Sequence, residues 1–514
     1  MHNPTAHRAS IVALSICGFL GCSAMGQVFD EDLRIIAPDG VPFEKFGQSV
    51  AAWGPVVFVG ANTDGTGSVY AFDSMIGHHM FQIKSSDIAQ GDSFGCSVSA
   101  SGSTLIVGAY GDDDAGSRSG SAYLFDATTG DQTFKLTPSN AAAQDRFGHS
   151  VAVADSVAVV GAYLNDDAGM DTGSAYLFDT KTGNQLFVLT APDLLPSSSF
   201  GYSVGISGNI AVVGAPSASS GGIVAGAAYV FDVLTGEMMF KLIASDAGQY
   251  DQFGRSVSVS GDIAVVGAPA SGVSGTNWGS AYVFDVRTGQ QLHKLVPSDA
   301  TEDGYFGYST SVSGATAVVG ARFAGDAGPN SGAAYLFDVQ SGKQIARLRA
   351  SDGQGGDELG VSVSIDGSVV VVGADRADVA GASSGAAFIF HGTPGILEQP
   401  TGFVATSGQE AVFSVLPKWS NGVSYQWRRN AVALDNSDNI TGASSPTLRI
   451  IASEQDEAYY DCVLTKFGSG SITNRVVLAV TPDPDACFVD VNGDGAVNFF
   501  DIQLFISFFG VGCP

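Results

Sequence analysis

Positively charged side chains are scarce in this chain. It has 23 lysines and arginines against 51 aspartates and glutamates, which gives a formal net charge of −28 over 514 residues. A field of this sign repels nucleic acid and anionic membrane surfaces, so a nucleic-acid partner is not expected. No stretch holds 18 consecutive apolar residues, and no transmembrane helix is therefore predicted.

Cysteine and histidine are also rare. Six cysteines spread over the whole chain are too few for a disulfide framework, and only Cys487 and Cys513 are predicted to pair. The histidines show no spacing typical of metal ligands, so a zinc site is not expected. They include His78, His79, His149, His293 and His391.

The first 26 residues have the pattern of a secretory signal peptide. Arg8 supplies the positive end, residues 11–20 form a short apolar run, and residues 24–26 have the small-x-small pattern of a cleavage site. The protein is therefore predicted to be secreted or held at the cell surface. Lipid attachment at Cys22 is a less favoured alternative, because an aromatic residue stands where a lipobox prefers Leu.

Glycine, in contrast, is abundant, and many of the 67 glycines belong to a repeat. A Phe-Gly pair recurs at intervals of 48 and then 53 residues, with Leu359-Gly360 as a seventh, degenerate copy. Each copy continues with a Gly-Ala pair and an aromatic-Asp step. Self-similarity at this period predicts a repeat architecture that occupies most of the chain. The six Phe-Gly pairs begin at Phe46, Phe94, Phe147, Phe200, Phe253 and Phe306.

Each repeat contains four short β-rich runs bounded by Gly, Asp and Ser, as in residues 253–295. Four antiparallel strands repeated radially make a β-propeller, so the chain is predicted to be mainly β, with a seven-bladed propeller over residues 27–392. The seventh repeat stops after its third strand, at residues 388–390. Residues 33–36 stand at the same distance before Phe46 as the fourth strands stand before the later Phe-Gly pairs. This N-terminal strand is predicted to complete the last blade and close the ring.

These residues resemble the FG-GAP repeat of integrin-α-type propellers, in the bacterial form with a short first hairpin, over about residues 31–391. The resemblance implies a loop-rich face on which partners dock. In the integrin-type family several blades also carry a calcium loop between their first two strands. Here that position holds only turns such as Ser260-Gly261-Asp262, too short to wrap an ion, so calcium in the blades is not expected.

Two sets of acidic residues fall on the loop-rich face. A regular set, seven residues before each repeat start, is interpreted as side-chain capping of a turn. An irregular set lies between the second and third strands and is either a solvated face or a group of weak cation sites. The regular set is Asp39, Asp87, Asn140, Asp193, Asp246, Asp299 and Asp352, and the irregular set is Asp112, Asp113, Asp114, Asp166, Asp167, Asp171, Asp326, Asp375 and Asp378.

Two further patterns are typical of enzymes. Residues 201–205 match G-x-S-x-G, but a nucleophile elbow needs a strand, a sharp turn and a helix, and Ser203 is expected inside a strand. Residues 122–130 resemble a quinoprotein blade motif, yet Phe134 stands where that motif usually has Trp. No catalytic residue is predicted, and the protein is not expected to be an enzyme. The alternative is a polysaccharide-processing or quinoprotein-like propeller enzyme, or a component of an enzyme complex.

Residues 393–482 resemble an immunoglobulin-like domain. The cues are Trp427 and a run in which Tyr460 stands two residues before Cys462, as in a tyrosine corner. Val415 stands where the family has its first core cysteine, so Cys462 is expected to be free and buried as a small apolar residue. The resemblance implies a β-sandwich, whose role as spacer or ligand-binding domain is open.

Residues 483–514 carry the strongest chemical motif. Oxygen ligands stand at loop positions 1, 3, 5, 9 and 12, with a glycine at position 6 for the sharp turn. The loop resembles a dockerin-type calcium loop, which implies a small helical, EF-hand-like module that binds Ca²⁺. Dockerins usually carry two loops packed against each other, and a Cys487–Cys513 bridge would substitute for the missing partner helix. The predicted ligands are Asp490, Asn492, Asp494, Ala496 through its carbonyl, Asn498 and Asp501.

The sequence thus predicts a secreted or cell-surface binding or adhesion protein. Its propeller loops dock an extracellular protein or polysaccharide, its immunoglobulin-like domain follows as a spacer, and its terminal module binds calcium and serves attachment, for example to the cell envelope. A structural role in an envelope lattice is a third hypothesis. Whether the single dockerin-like repeat binds a cohesin is open.

Overall fold

The computed structural model describes residues 27–481 apart from 63–64, 221, 273–276, 326, 393, 395, 421 and 468. The predicted signal peptide lies outside the described residues. So do the predicted calcium ligands between Asp490 and Asp501 and the predicted Cys487–Cys513 bridge. These three remain predictions from the sequence.

Seven four-stranded antiparallel sheets surround one axis and form a seven-bladed β-propeller. The first strand of each blade lines the axis and contacts the first strands of both neighbouring blades, all the way round the ring. From the axis outwards, the strands are Phe46–Trp53, Val56–Ala61, Ser68–Asp73 and His79–Ile83 in blade 1; Ser97–Ser101, Thr104–Ala109, Ser121–Asp126 and Gln132–Leu136 in blade 2; and Ser150–Ala154, Val157–Ala162, Ser174–Asp179 and Gln185–Leu189 in blade 3.

The later blades repeat this order. A loop of blade 4 also contains a small hairpin, whose two strands are Ser219–Ser220 and Ile223–Val224. Their strands are Ser203–Ser207, Ile210–Ala215, Ala227–Asp232 and Met238–Leu242 in blade 4; Ser256–Ser260, Ile263–Ala268, Ser280–Asp285 and Gln290–Leu295 in blade 5; Phe306–Ser313, Thr316–Ala321, Ala333–Asp338 and Lys343–Arg349 in blade 6; and Ser362–Asp366, Val369–Ala374 and Ala386–His391 in blade 7.

The sequence of each strand follows from its distance to the axis. The second and third strands pack against neighbouring blades on both faces, so they are continuous apolar runs such as Ala264-Val265-Val266, all buried. The outer strands have one face in solvent and alternate between buried and exposed residues, as in Gln185–Leu189. The core of the propeller therefore lies between the blades.

The Phe-Gly and Gly-Ala pairs bring successive blades into contact. Gly254 has a φ of +87°, which favours glycine, and a Cβ added to it would lie 2.2 Å from the Ala227 carbonyl oxygen. A Cβ added to Gly214 would lie 2.0 Å from the carbonyl oxygen of Gly254. Both glycines are therefore required by the close approach of backbone between blades.

Two N-terminal strands, β1 (Gln27–Asp30) and β2 (Leu33–Ile35), close the ring. β2 pairs antiparallel with Ala386–His391 and is the fourth strand of blade 7, which confirms the prediction made from residues 33–36. β1 was not predicted as a separate element. It pairs in parallel with Lys343–Arg349 and adds a fifth strand to the outer edge of blade 6.

A β-sandwich follows the propeller. One sheet contains six strands and the other three, and they enclose a core with Trp427, Tyr460 and Cys462 at its centre. Cys462 is buried and free, as predicted, and the Tyr460 hydroxyl donates to the carbonyl of Asp456 at 2.8 Å. The elements are Ile396–Glu398, Phe403–Thr406, Glu410–Ser414, Leu416–Pro417, Ser424–Arg429, Val432–Ala433, Ile440–Thr441, Thr447–Ile451, the 3-10 helix Glu454–Asp456, Ala458–Lys466, Ser469–Ile472 and Val476–Thr481.

The N-terminal segment also joins the propeller to the sandwich. Lys466 Nζ of the sandwich lies 2.6 and 2.8 Å from the two carboxylate oxygens of Asp32, and the two side chains are 0% and 1% exposed. His391 Nδ1 lies 3.3 Å from the same carboxylate, and its ring stacks on Trp419 with centroids 3.8 Å apart. A buried ion pair thus lies where the N-terminal segment, blade 7 and the sandwich meet.

Candidate functional site

The loops that join the fourth strand of one blade to the next, and the second strand to the third, lie on one face of the disc. The regular Asp and Asn set lies on this face, but its interpretation as turn caps was wrong. Asp246, for example, accepts hydrogen bonds from the hydroxyl of Tyr282 at 3.0 Å and from Lys294 at 2.6 Å. Burial raises the pKa of Asp246, but these bonds outweigh it and leave the pKa below its usual value.

The same type of bond recurs round the ring. Five members of the set pair with a cation, as in Asp87 with Lys135, Asp193 with Lys241 and Asp299 with Arg347. Asp39 instead accepts a hydrogen bond from the hydroxyl of Tyr70 at 2.6 Å. In these loops a different aspartate caps the turn, since Asp92 accepts from the backbone amide of Ala89 and Asp251 accepts from that of Gly248, both at 2.6 Å. Most of the regular set therefore joins the loops to the outer part of the blades.

Some of the irregular acidic residues bond within their own loops, and others bond a neighbouring strand or loop, as Asp114 does with Lys135. Asp113 accepts from the amide of Arg118 at 2.6 Å, and Asp166 accepts from the amide of Asp171 at 2.7 Å. Within the part of the chain that the structure describes, no group of three or more His, Cys, Asp or Glu side chains is placed to hold a metal ion.

Ser203 lies in a strand, as predicted, and its hydroxyl has a structural partner. It donates to the carbonyl of Gly254 in the next blade at 2.8 Å. Equivalent serines make the same bond in five other blades, and the bond from Ser362 to Gly47 joins the last blade to the first. The other four donors are Ser49, Ser150, Ser256 and Ser309, which bond Gly95, Gly201, Gly307 and Gly360.

The Thr-Gly elements are hairpin turns between the third and fourth strands, as predicted. The residue that stands where the quinoprotein motif has Trp also has a packing role. A Cβ on Gly183 would lie 2.8 Å from the ring of Phe134, so this ring covers the turn of the next blade. Phe81, Phe187 and Phe240 cover Gly130, Gly236 and Gly289 in the same way.

The mouth of the central channel on the loop face is the strongest candidate site. It is a cavity of about 390 Å³. We call it the axial mouth and define it by the lining residues on which the site depends, namely Gln48, Tyr110, Arg146, His149, Tyr202, Arg255, Tyr308, Thr310 and Arg322.

Most of these side chains come from three positions of the repeat at which the seven copies differ. One position precedes the Phe-Gly pair, one follows it, and one follows the Gly-Ala pair at the end of the second strand. The residue before the Phe-Gly or Leu-Gly pair has a positive φ in all seven repeats and is never glycine. Because all seven repeats share this conformation, it belongs to the turn that begins each blade, and of these residues Arg146 lines the axial mouth. These residues are Lys45, Ser93, Arg146, Ser199, Gln252, Tyr305 and Glu358.

Arg255 lies between two tyrosine rings. Its guanidinium carbon is 5.0 Å from the ring centroid of Tyr202 and 4.6 Å from that of Tyr308, and it donates to the Tyr308 hydroxyl at 3.0 Å. Arg322 also donates to that hydroxyl, at 2.6 Å. Such rings compensate part of the cost of removing a cation from water.

The two arginines differ in their acidic partners. Arg322 is bonded to the buried carboxylate of Glu358 and lies 3.8 Å from Asp375. Arg255 forms no ion pair with any carboxylate in the described residues. Its positive charge is therefore not neutralised by the protein.

Arg146 forms a second uncompensated cation in this mouth. Its guanidinium carbon lies 5.5 Å from the ring centroid of Tyr110 and 5.9 Å from that of Tyr163. Between them, the His149 ring has its centroid 4.5 Å from that of Tyr163 and 4.8 Å from that of Tyr202. Like Arg255, Arg146 has no carboxylate partner within ion-pair distance among the residues described.

His149 contributes no charge at neutral pH. Burial lowers the pKa of its ring to about 4, and the charges of Arg255 and Arg146 act in the same direction. Its Nδ1 atom lies 3.2 Å from the backbone carbonyl oxygen of Tyr202. The positive potential of the axial mouth therefore comes from arginine alone, within a protein of net charge −28.

Sequence reasoning placed the functional surface on the loop face but missed the axial mouth. Arg146, Arg255 and Tyr308 have no motif spacing of their own. A signal was present in the comparison of the repeats, because the residue after the glycine is Gln, Cys, His, Tyr, Arg or Val in different copies, where regular repetition would give a single residue type. That signal acquires a meaning only when the seven copies are arranged in a ring.

The fold and its axial mouth define a seven-bladed β-propeller with its variable side chains gathered on one face. The chain belongs to the FG-GAP repeat family. A model of the FG-GAP repeat matches seven segments that together make up more than half of the chain. They are residues 29–72, 80–125, 131–178, 184–231, 238–284, 290–337 and 343–390.

Solved structures give a partial likeness. The titin M4 domain is 24% identical over 17% of this chain and 95% of its own, with a TM-score of 0.16. Tandem Ig repeats of Dlar are 14% identical over 31% of this chain and 66% of their own, with a TM-score of 0.17. No curated protein matches the chain. Among the described residues, no helix has the length and apolar character that crossing a membrane requires.

Proposed function

We propose that this protein is a non-enzymatic binding protein of the cell exterior whose loop face docks a ligand at the axial mouth. One observation carries the proposal. Two arginines of the mouth, Arg146 and Arg255, are held between aromatic rings without a carboxylate partner among the described residues. FG-GAP repeats are typical of extracellular proteins, which agrees with the predicted signal peptide.

The serine that matches a nucleophile motif supports the non-enzymatic assignment. Ser203 donates its hydroxyl proton to a backbone carbonyl, as its equivalents in five other blades do. A nucleophilic serine needs an adjacent general base, and Ser203 is instead one member of a ring of structural bonds.

The two C-terminal segments complete the proposed function. The β-sandwich, with a buried Trp427 and a tyrosine hydroxyl bonded four residues upstream, has features typical of an immunoglobulin-like spacer. The loop from Asp490 to Asp501 binds Ca²⁺ and serves attachment, with Cys487 and Cys513 bridged.

The docking face is tested with two sets of substitutions that are matched in exposure. Met170 and Tyr250 lie on the loop face and are both 66% exposed, and Leu234 lies on the opposite face and is 67% exposed. The labelled protein is applied to a glycan array and to a cell-envelope extract. We expect the Met170→Arg/Tyr250→Arg double variant to lose captured partners and Leu234→Arg to retain them, because only the first blocks the loop face. Loss through Leu234→Arg alone, or release of shortened glycans, would refute a loop-face binding protein.

Calcium binding is tested on the full chain by isothermal titration calorimetry. We expect one site with a dissociation constant on the order of 10⁻⁴ to 10⁻³ M, as in extracellular modules. Asp494→Ala removes the ligand at loop position 5 and should abolish the heat of binding. Asp435→Ala, in the sandwich, is the control and should titrate like the parent. A parent chain without calcium heat, or an Asp494→Ala variant that still binds, would contradict a calcium site in this loop.

A further inference from the structure

The axial mouth contains buried polar atoms that have no hydrogen-bond partner in the described chain. They include Nε of Arg146, Oε1 of Gln48 and Oγ1 of Thr310, all on residues that line the same cavity. A buried polar group without a partner costs free energy, which a ligand that supplies the missing hydrogen bond recovers. One guanidinium nitrogen and two oxygens are therefore left without partners in the wall of a cavity that has room for a small ligand.

Thr310 is an exception within the repeats. The other six blades have valine at this position of the inner strand, namely Val50, Val98, Val151, Val204, Val257 and Val363. The hydroxyl of Thr310 is buried without a hydrogen-bond partner, a cost that the valines of the other blades do not have. Gln48 is likewise unlike its equivalents, since no other repeat has an amide after the Phe-Gly pair. Both departures lie on the wall of the axial mouth.

Charge is arranged in two zones on the loop face. The axial mouth holds the uncompensated Arg146 and Arg255, whereas the loops farther from the axis carry exposed aspartates, among them Asp113, Asp166 and Asp378. The outer loops repel a long polyanion, while the mouth attracts a single anionic group. A ligand that fits both zones has one carboxylate on a compact, otherwise neutral body.

We propose that the axial mouth binds a sugar acid, a single uronate unit that is either free or part of a short glycan. This inference rests on the proposed function and names its ligand class. The uronate carboxylate bonds Arg146 and Arg255, since guanidinium groups pair with carboxylates in strong, directed hydrogen bonds. The sugar hydroxyls bond Gln48 and Thr310, and the ring lies against the tyrosines of the wall. This combination of a few polar groups within aromatic walls is typical of small-ligand sites.

The test with the parent protein uses galacturonate, its methyl ester and galactose in isothermal titration calorimetry at pH 7. We expect galacturonate to bind and the two uncharged sugars to bind at least about tenfold more weakly, because they lack the carboxylate. Binding should weaken as salt is raised from 0.05 to about 0.5 M, which screens the arginines. A short neutral oligosaccharide that ends in one galacturonate separates the two sources, since binding at least as tight as the monomer indicates a glycan-borne unit and weaker binding indicates a free sugar acid.

Variants then locate the site. Arg146→Gln and Arg255→Gln should each weaken galacturonate binding at least about tenfold. Arg287→Gln is the matched control, because Arg287 is an exposed arginine on the opposite face, paired with Asp262, and its loss should leave binding unchanged. Circular dichroism verifies that each variant is folded.

Two results would overturn the proposal. One is equal binding of galacturonate and its methyl ester, or no galacturonate binding by the parent protein, a comparison that does not depend on any variant. The other is unchanged binding in folded Arg146→Gln and Arg255→Gln proteins. The proposed function is tested separately by the Met170→Arg/Tyr250→Arg variant. If this variant loses a partner that the parent captures, and either of the two results above is also found, the loop face still binds a partner and only the sugar acid is rejected as its ligand.

Discussion

Removal of residues 27–36 is expected to abolish the single cooperative unfolding transition of the propeller and to cause aggregation. The deletion takes away β1 and β2, which exposes the outer edges of blades 6 and 7 as unpaired strands. It also removes the buried side chains of Phe29 and Ile35 and leaves Lys466 without its carboxylate. Differential scanning calorimetry and size-exclusion chromatography of the deletion variant measure both effects.

A milder change isolates the packing contribution from the loss of strand pairing. Ile35→Ala keeps the strand but creates a cavity beside blade 7, and we expect it to cost about 2–5 kcal/mol. Val28→Ser changes a side chain that is half exposed on β1 and should cost less than about 0.5 kcal/mol. A deletion variant that unfolds at the parent temperature and stays monomeric would show that the ring does not depend on these strands.

Lys466→Met is expected to destabilise the protein by about 3–5 kcal/mol, because it leaves the buried Asp32 carboxylate unpaired. The partner change Asp32→Asn, combined with Lys466→Met, should recover much of this loss, since no uncompensated charge then remains. Denaturant unfolding of the single and double variants gives the coupling energy. The control is Arg449→Met, which breaks an exposed pair with Glu410 and should cost about 0–1 kcal/mol.

The same ion pair gives a pH dependence with a definite sign. Burial raises the pKa of Asp32, but hydrogen bonds from His391 and Lys466 outweigh it and hold the pKa below its ordinary value. A carboxyl group whose pKa is lower in the folded state stabilises the fold above its unfolded pKa, about 3.9, and loses that contribution as the pH falls below it. If Lys466→Met and Arg449→Met lowered the free energy of unfolding by the same amount, the role assigned to the Asp32–Lys466 pair would be contradicted.

The blade count and the closing strand could be predicted because each follows from local periodicity. Phe46, Phe94 and their equivalents repeat at a fixed interval, and residues 33–36 stand at the offset of a fourth strand. The parallel strand β1 could not be predicted, since its pairing with residues 343–349 depends on the three-dimensional position of the blade 6 edge.

The chemistry of the loop face was less predictable for a related reason. The capping interpretation of Asp246 used only neighbours in sequence, whereas its partners Tyr282 and Lys294 belong to the third and fourth strands of the next blade. The axial mouth is an extreme case, because Arg146 and Arg255 come from blades 3 and 5 and share a cavity only after the ring has closed. Contacts between distant repeats are set by the ring.

Native-state hydrogen exchange of the intact protein tests the closed ring most directly. If β2 is the fourth strand of blade 7, the amides of Leu33 and Ile35 are protected as strongly as those of residues 386–391, and both exchange through the same unfolding event. Fast exchange of residues 27–36, at the rate of an unstructured peptide, beside a protected strand at 386–391 would contradict the closed ring and the axial mouth that depends on it.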